Sequence, residues 1–334
     1  MTEQKEEKQT RLAVRTASGS NLILKRVEED EFGNLPDDPE TFQHRFSTYT
    51  PDFTKNEVVD PTVNSNRQDT EVRFSTRDLS FSMEAVLSHS DQDRLIASGL
   101  WSEWTPTDDQ GERTITIGSP AVQKSFTFEA DQTDIDTQRR FTGLTVNSFT
   151  INSPLDANTT ISYDMLGREE ELVETSLGDA TAYENTQSYL HIDGTISLGD
   201  LTEDCVVQSF DMTVTNNADA NFCWGERTAH AVTEANVEVT GNLTLFYVDS
   251  EINDMYLNDT EISLNVILRN EEGHEFELDM PRVMAANASN PFVVGQRVVT
   301  LAYRALAARD GSHNALTIRA RGYPVIPIPP TEGE

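Results

Sequence analysis

The side chains able to do chemistry are present but dispersed. Six histidines, His44, His89, His191, His230, His274 and His313, fall at irregular intervals, and none stands at the spacing of a metal-ligand pair or a catalytic triad. Cys205 and Cys223 lie in polar surroundings without a Cys-x-x-Cys pair or a histidine at ligand spacing, which argues against zinc. Two free thiols are expected rather than a bridge. Asp131, Asp134 and Asp136 cluster as oxygen donors of the kind a hard cation takes, yet the glycine and closing glutamate of an EF-hand loop are missing, and a solvated turn is the simpler reading. No phosphate-cradling loop and no Gly-x-Ser-x-Gly elbow occurs. Paired carboxylates for glycoside hydrolysis need two acids facing each other across strands, a condition that many pairs in so acidic a chain meet by chance. The expectation is a protein that is not an enzyme and carries no cofactor and no metal.

The charge balance is the strongest compositional signal. The chain has 57 acidic against 25 basic side chains, a formal charge of −32. A protein that reads DNA neutralises phosphates with lysine and arginine, so tight nucleic-acid binding is excluded. Salt adaptation or solubility accounts for such a surplus, and so does a conduit whose negative wall lets DNA slide without sticking. Residues 1–10 lack the apolar stretch of a signal peptide, and the apolar run 298–306, interrupted by Arg304, is too short to span a bilayer. A soluble product made in a cytoplasm, without membrane contact, is expected.

These residues must be positioned by strands. Leu79, Phe81, Met83, Ala85 and Leu87 alternate with Ser80, Ser82 and Glu84, the period of a half-buried strand. Behind it, Ser90 is placed to cap a helix over 91–98, with Asp91 and Asp93 in its first turn and Gly99 to end it; Leu100, Trp101 and Trp104 then close the core. Strand-like stretches follow at 114–117, 125–129, 141–151, 160–166, 190–198, 206–215, 235–248, 261–268, 274–280, 298–306 and 315–319. The tetrad 270–273, ending in Gly273, reads as a hairpin turn between two of them. With almost no helices to make crossovers, the sheets must be mainly antiparallel, so the fold class is all-β, a sandwich or barrel with one short flanking helix. Two segments, 144–152 and 205–213, share an apolar, polar, Ser, Phe pattern that any two half-buried strands could share. Residues 1–40 read as a flexible or partner-ordered arm, 41–322 as the β-domain and 323–334 as a proline-rich tail. Within the domain, 51–77 reads as a long loop without structure of its own, and loops of that length usually have a function.

The order of several stretches resembles the tail tube, or major tail, proteins of long-tailed, non-contractile bacteriophages. They are Asn66, Arg67 and Gln68 leading to Val72 and Arg73, then the strand 79–87 and the helix ending near Trp104. Next come 124–129, followed by 141–154; then 209–217, Gly225 and 238–247; and finally 264–281 and the strand 298–305. Together they span about 46–320, and their spacing rather than any single motif carries the likeness.

The resemblance implies a β-sandwich whose copies form hexameric rings with inner sheets joined into one barrel, the rings stacking into a tube of the phage tail in the virion. It implies self-association, assembly in the host cytoplasm around a tape-measure protein, end partners in the distal tail tip and the tail terminator, and passage of DNA without specific binding. On that footing Pro51, Phe53, Val58, Val59, Arg67 and Arg73 are candidate contacts to a neighbouring subunit or ring. Asp164, Glu169, Glu170, Glu171, Glu174, Asp200, Glu203 and Asp204 are candidate lumen-facing acids. The rival reading is an adhesive or receptor-binding β-sandwich on a virion or cell surface, calcium-stabilised through Asp131, Asp134 and Asp136.

Overall fold

A computed structural model describes residues 18–59, 71–135, 137–183, 186–199, 207–246, 257–289 and 298–324. The first half of the chain forms β1 (Leu22–Glu28), β2 (Phe42–Gln43), β3 (Thr48–Val59), β4 (Val72–Val86), helix α1 (Asp93–Gly99), β5 (Glu112–Thr116), β6 (Phe126–Gln132), β7 (Thr137–Ser153), β8 (Thr160–Gly167) and β9 (Glu169–Val173). The second half adds β10 (Leu190–Leu198), β11 (Val207–Thr215), β12 (Asp219–Asn221), β13 (Ala231–Thr233), β14 (Glu238–Phe246), β15 (Glu261–Arg269), β16 (Glu275–Ser289), β17 (Val298–Ala305) and β18 (Thr317–Arg321). Sixteen strands join one sheet, while β12 and β13 make a separate ribbon. The pairings between strands are antiparallel, as the scarcity of helical pattern requires.

Long strands turn this one sheet into a sandwich. The N-terminal half of β7 pairs with β6 and β9, and its C-terminal half pairs with β8 and β11 across a register shift between Val146 and Ser148. A bulge of that kind bends a strand and raises its twist, so the sheet folds over itself. The alternating apolar residues of both layers then meet in one core that holds Leu24, Phe81, Phe128, Phe149, Phe210, Leu264 and Phe276 together. Helix α1 packs against β7 so closely that a Cβ on Gly99 would lie 2.5 Å from the Phe149 ring. The sheet does not close on itself, so the observed class is an all-β sandwich with one short helix.

Most expected strands are found within a few residues of their expected ends. The segment 144–152 and the described part of 205–213, which share a pattern, fall in β7 and β11, which are neighbours, with Met212 opposite Ile151 and Val214 opposite Phe149. The turn at 270–273 is closed by the Gly273 N–H donating to the Asn270 carbonyl at 3.1 Å.

Three expectations are corrected. The helix begins two residues late, at Asp93 with Gln92 as its cap residue, and Ser90 ahead of it turns the chain at a positive φ of 65°. Residues 22–28 are not part of an arm: β1 pairs along its length with β6, and Leu24 and Val27 are buried. The charged pattern there misleads because Lys25 is itself buried, 2.9 Å from Asp131 and 3.7 Å from Glu129. Glu29 is buried too, accepting hydrogen bonds from Thr127 Oγ1, Ser125 Oγ, the Gly143 N–H and the Gly33 N–H at 2.6–2.8 Å.

The third correction concerns 51–77. Its described part is no loop but a long hairpin in which β3 pairs with β4 from Thr48 opposite Glu84 to Val59 opposite Val72. Backbone pairing, rather than burial, holds it. Pro51 is tolerated because β3 is an edge strand, where a missing N–H on the open side costs no ladder bond. The arm-to-tail division of the chain at its C-terminal end lies mostly outside the described residues.

Candidate functional site

Two features distinguish the molecule's surface: a polar sheet face and the projecting hairpin. The face belongs to neighbouring strands β4, β8, β7, β11, β14 and β17, whose inward residues fill the core while their outward ones are mainly Ser, Thr and Asn, with a few acids, Arg304 and some apolar residues such as Ala302. Register sets these outward residues in rows. One row runs Ser82, Asp164, Ser148; a second runs Ser162, Thr150, Thr213, Thr240, Arg304; a third runs Thr160, Asn152, Asp211, Asn242, Ala302.

Hydrogen bonds tie the rows across strands. Ser82 Oγ donates to Asp164 at 2.6 Å and Ser148 Oγ donates to its other oxygen at 3.3 Å. The Thr150 and Thr213 hydroxyls lie 2.8 Å apart, and Asn242 Nδ2 donates to Asp211 at 3.1 Å. Arg304, the cation in these rows, is held 2.7 Å from Glu238. Between the rows, Gly241 is required by close approach: a Cβ there would lie 2.1 Å from the Asp211 carbonyl oxygen, to which the Tyr303 hydroxyl donates at 2.9 Å. The arrangement offers hydroxyls, amides and carboxylates that are tied to one another across the strands. Arg304 is already paired with Glu238, so the rows hold no unpaired cation with which to neutralise a phosphate.

The hairpin is built in two parts. Near the body, Tyr49 stacks on Phe81 with ring centroids 5.8 Å apart, and Arg77 lies 5.9 Å from the Phe53 ring centroid. A register shift between Lys55 and Glu57 marks the end of that support. Beyond it Val58, Val59, Val72 and Phe74 are exposed. At about 3.3 Å per residue the paired strands carry these apolar side chains roughly 15 Å past the bulge.

The expected loop contacts therefore divide. Pro51 and Phe53 lie on the supported part, Val58, Val59 and Arg73 on the projecting part, and Arg67 outside the described residues. The acids divide as well. Asp164 sits within the polar face, whereas Glu169, Glu170 and Glu171 lie on β9, against the other half of β7. There Glu170 is held by Arg139 at 2.5 Å and Glu169 lies 4.0 Å from Arg77, while Glu171 and Glu174 are exposed. Asp200, Glu203 and Asp204 lie outside the described residues. Sequence reasoning passed over Asp211, Thr150, Thr213 and Asn242. The available signal was that outward positions of these strands carry short uncharged side chains in place of the lysines and glutamates of an ordinary solvent face.

The acidic cluster proposed for calcium is engaged otherwise. Asp131 pairs with Lys25, Asp134 accepts from the Ser18 N–H at 2.7 Å and from Gln132 Nε2 at 2.9 Å, and Asp136 lies outside the described residues. Cys223 is a free, exposed thiol, and Cys205 lies outside the described residues.

A second group of titratable side chains lies at the start of α1, with Asp93 in its first turn and Asp91 and His89 just before it. Burial pushes the Asp93 carboxyl up to about 6, against the opposing pull of the Tyr323 hydroxyl that donates to it and of Arg113 at 3.2 Å. Burial likewise raises Asp91 to about 6 and lowers His89, stacked on His274 at 3.9 Å, to about 4. Asp93, raised in the folded state, binds a proton that the unfolded chain has already released between about pH 4 and 6. Its contribution to stability is thus present in acid and lost as pH rises through that window. Asp93→Asn should gain on the native chain by up to about 3 kcal/mol between pH 4 and 7, read as the difference in urea unfolding free energy. A difference independent of pH contradicts the assignment.

Among the described residues no helix is long and apolar enough to cross a membrane. No curated protein matches the chain. The family model described as phage tail tube protein matches residues 19–305, from just before β1 to the end of β17, so it takes in the polar face, the hairpin and the helix alike, and the chain belongs to the phage tail tube protein family.

Proposed function

We propose that copies of this chain close side by side into hexameric rings, that the rings stack through the β3–β4 hairpin, and that the Ser/Thr/Asn/Asp face lines the bore through which genomic DNA passes during ejection. Membership of the family makes the chain a structural subunit of the phage tail tube, and hence a virion component. The observation that carries the finer reading is the projecting half of the hairpin. It holds Val58, Val59, Val72 and Phe74 where the described residues provide no core, and the open edge of β3 leaves backbone groups for a neighbour to pair. Contacts that close by rotation make a ring, and top-to-bottom contacts stay open and make a filament.

The lining follows from charge. At physiological ionic strength fields fade over about 8 Å, so the groups on the wall matter to DNA more than the net charge of the subunit. Asp164, Asp211, Glu84 and Glu238, with Arg304 already paired, give a weakly negative, well-hydrated wall. The tape-measure protein would occupy the same bore during assembly in the host cytoplasm, with the distal tip and the terminator capping the two ends. Asp200, Glu203 and Asp204 remain candidates for the same wall, while the β9 acids fit the outer contacts better because Arg139 and Arg77 already answer two of them.

Particles whose tubes carry Thr213→Lys together with Asn242→Lys test the lining. Tubes of normal length that eject DNA more slowly, with a rate that recovers at high salt, are the expected outcome. Unchanged ejection at all salt concentrations would place this face elsewhere, and negative-stain images without tubes of stacked rings would remove the ring assignment itself.

A further inference from the structure

We propose that Cys223, Glu226 and His230 form a binding site for a divalent transition-metal ion of the zinc type. Spacing alone argued against zinc, because neither cysteine has a second cysteine or a regularly spaced histidine beside it. The fold changes that. The three residues lie in the segment that joins β12 to β13, and the His230 N–H donates to the Asn221 carbonyl at 2.7 Å, closing its base. Inside it the Glu226 N–H donates to the Cys223 carbonyl at 3.2 Å, with Gly225 at a φ of 94° completing the reversal. One sulfur, one carboxylate oxygen and one imidazole nitrogen are thereby brought within 4.8 Å of one another.

That donor set is selective. Thiolate and imidazole favour zinc or cobalt over calcium or magnesium, which take oxygens. Bond lengths of about 2.0–2.3 Å in a tetrahedral site put ligand atoms roughly 3.3–3.6 Å apart. His230 Nδ1 and Glu226 Oε2 already lie 3.4 Å apart, within that range. Three protein ligands leave the fourth position to water or to a donor from a neighbouring copy.

The surroundings hold the backbone while leaving the ligands outward. Ala229 and Val232 are buried, Val232 in a small cluster with Trp101 and Ala218. The Arg227 carbonyl accepts the Arg77 N–H at 2.7 Å at the base of the β3–β4 hairpin. A bound ion would therefore stiffen a segment that touches the arm proposed for stacking, although the site itself does not depend on that role. Trp224, next to Cys223, is fully exposed and would report the change by its fluorescence.

The test is a titration of the reduced, chelator-stripped full chain with cobalt(II), then displacement by zinc(II). One ion per chain, with a thiolate-to-cobalt charge-transfer band and tetrahedral visible bands that zinc abolishes, is expected. Cys223→Ser should lose the charge-transfer band, Cys205→Ser should keep it, and His230→Ala should weaken binding by about tenfold or more, since even outer partners of metal ligands are worth that much. Circular dichroism melts establish that each variant is folded. Absence of the band in folded native protein, its survival in Cys223→Ser, or its loss in Cys205→Ser overturns the proposal, whether or not the chain polymerises.

Discussion

A chain in which residues 57–74 are replaced by a short Asn-Gly turn is expected to remain folded and to form no tube. The cut is set by the register. Thr48 to Lys55 pair with Arg77 to Glu84 over the core, and a deletion reaching Pro51 would remove Phe53 and a strand that covers β4. Past the shift between Lys55 and Glu57 the described hairpin contributes exposed side chains and no core, so its loss should move the melting temperature by no more than a few degrees. Assembly should respond in the opposite way. The apolar side chains of the projecting ribbon find no core among the described residues, and on the stacking role proposed for them their removal leaves ring-to-ring contact without its anchor. Seeded polymerisation followed by sedimentation and negative stain reads the outcome. Phe74→Asp, which keeps the ribbon but places a charge in that contact, should slow elongation strongly with the same unchanged melting. Normal tubes from either variant would refute the role given to the hairpin.

The largest effect on stability is expected from Glu29→Ala. The carboxylate is buried and satisfies four donors, two hydroxyls from β6 or its approach and two backbone N–H groups, one of them at Gly143 in β7. Alanine leaves those donors in a space without acceptors, and each unsatisfied buried group costs about 1–3 kcal/mol before relaxation and entering water recover part of it. A net loss of about 3–5 kcal/mol in urea unfolding is expected, a large share of a stability that is about 5–15 kcal/mol for an ordinary domain. Glu29→Gln should recover only part, because either orientation of its amide sets an N–H against a backbone N–H, that of Gly33 or that of Gly143, while the hydroxyl beside it can turn to accept. A loss under about 1 kcal/mol would mean that these hydrogen bonds are not what fastens the N-terminal segment to the sheet.

The strands at 160–166, 190–198 and 261–268 could be read from the chain because each carries its own proof. Alternation along Ile161, Tyr163, Met165 or along Leu264, Val266, Leu268 is a property of neighbouring residues and needs no partner to be visible. β1 could not be read in that way. Its charged residues, Lys25 among them, look like surface until Asp131 and Glu129, more than a hundred residues away, are placed beside them. The hairpin is hidden for a related reason: a ribbon held by its own backbone pairs needs little apolar content, so its sequence looks like that of a loop.

From the sequence alone came the class of the fold, the helix behind β4, the expectation against tight phosphate binding and the likeness to tail tube proteins, all carried by local period, net charge and the order of short motifs. Tertiary structure alone decided which outward residues share a face, which acids are already answered by arginines, and how Cys223, Glu226 and His230 come to one place. The physical reason is range. Periodicity and composition are sums over adjacent residues, whereas a face, an ion pair or a ligand set depends on which distant strand lies alongside, and that is settled only when the sheet chooses its register and burial fixes the choice.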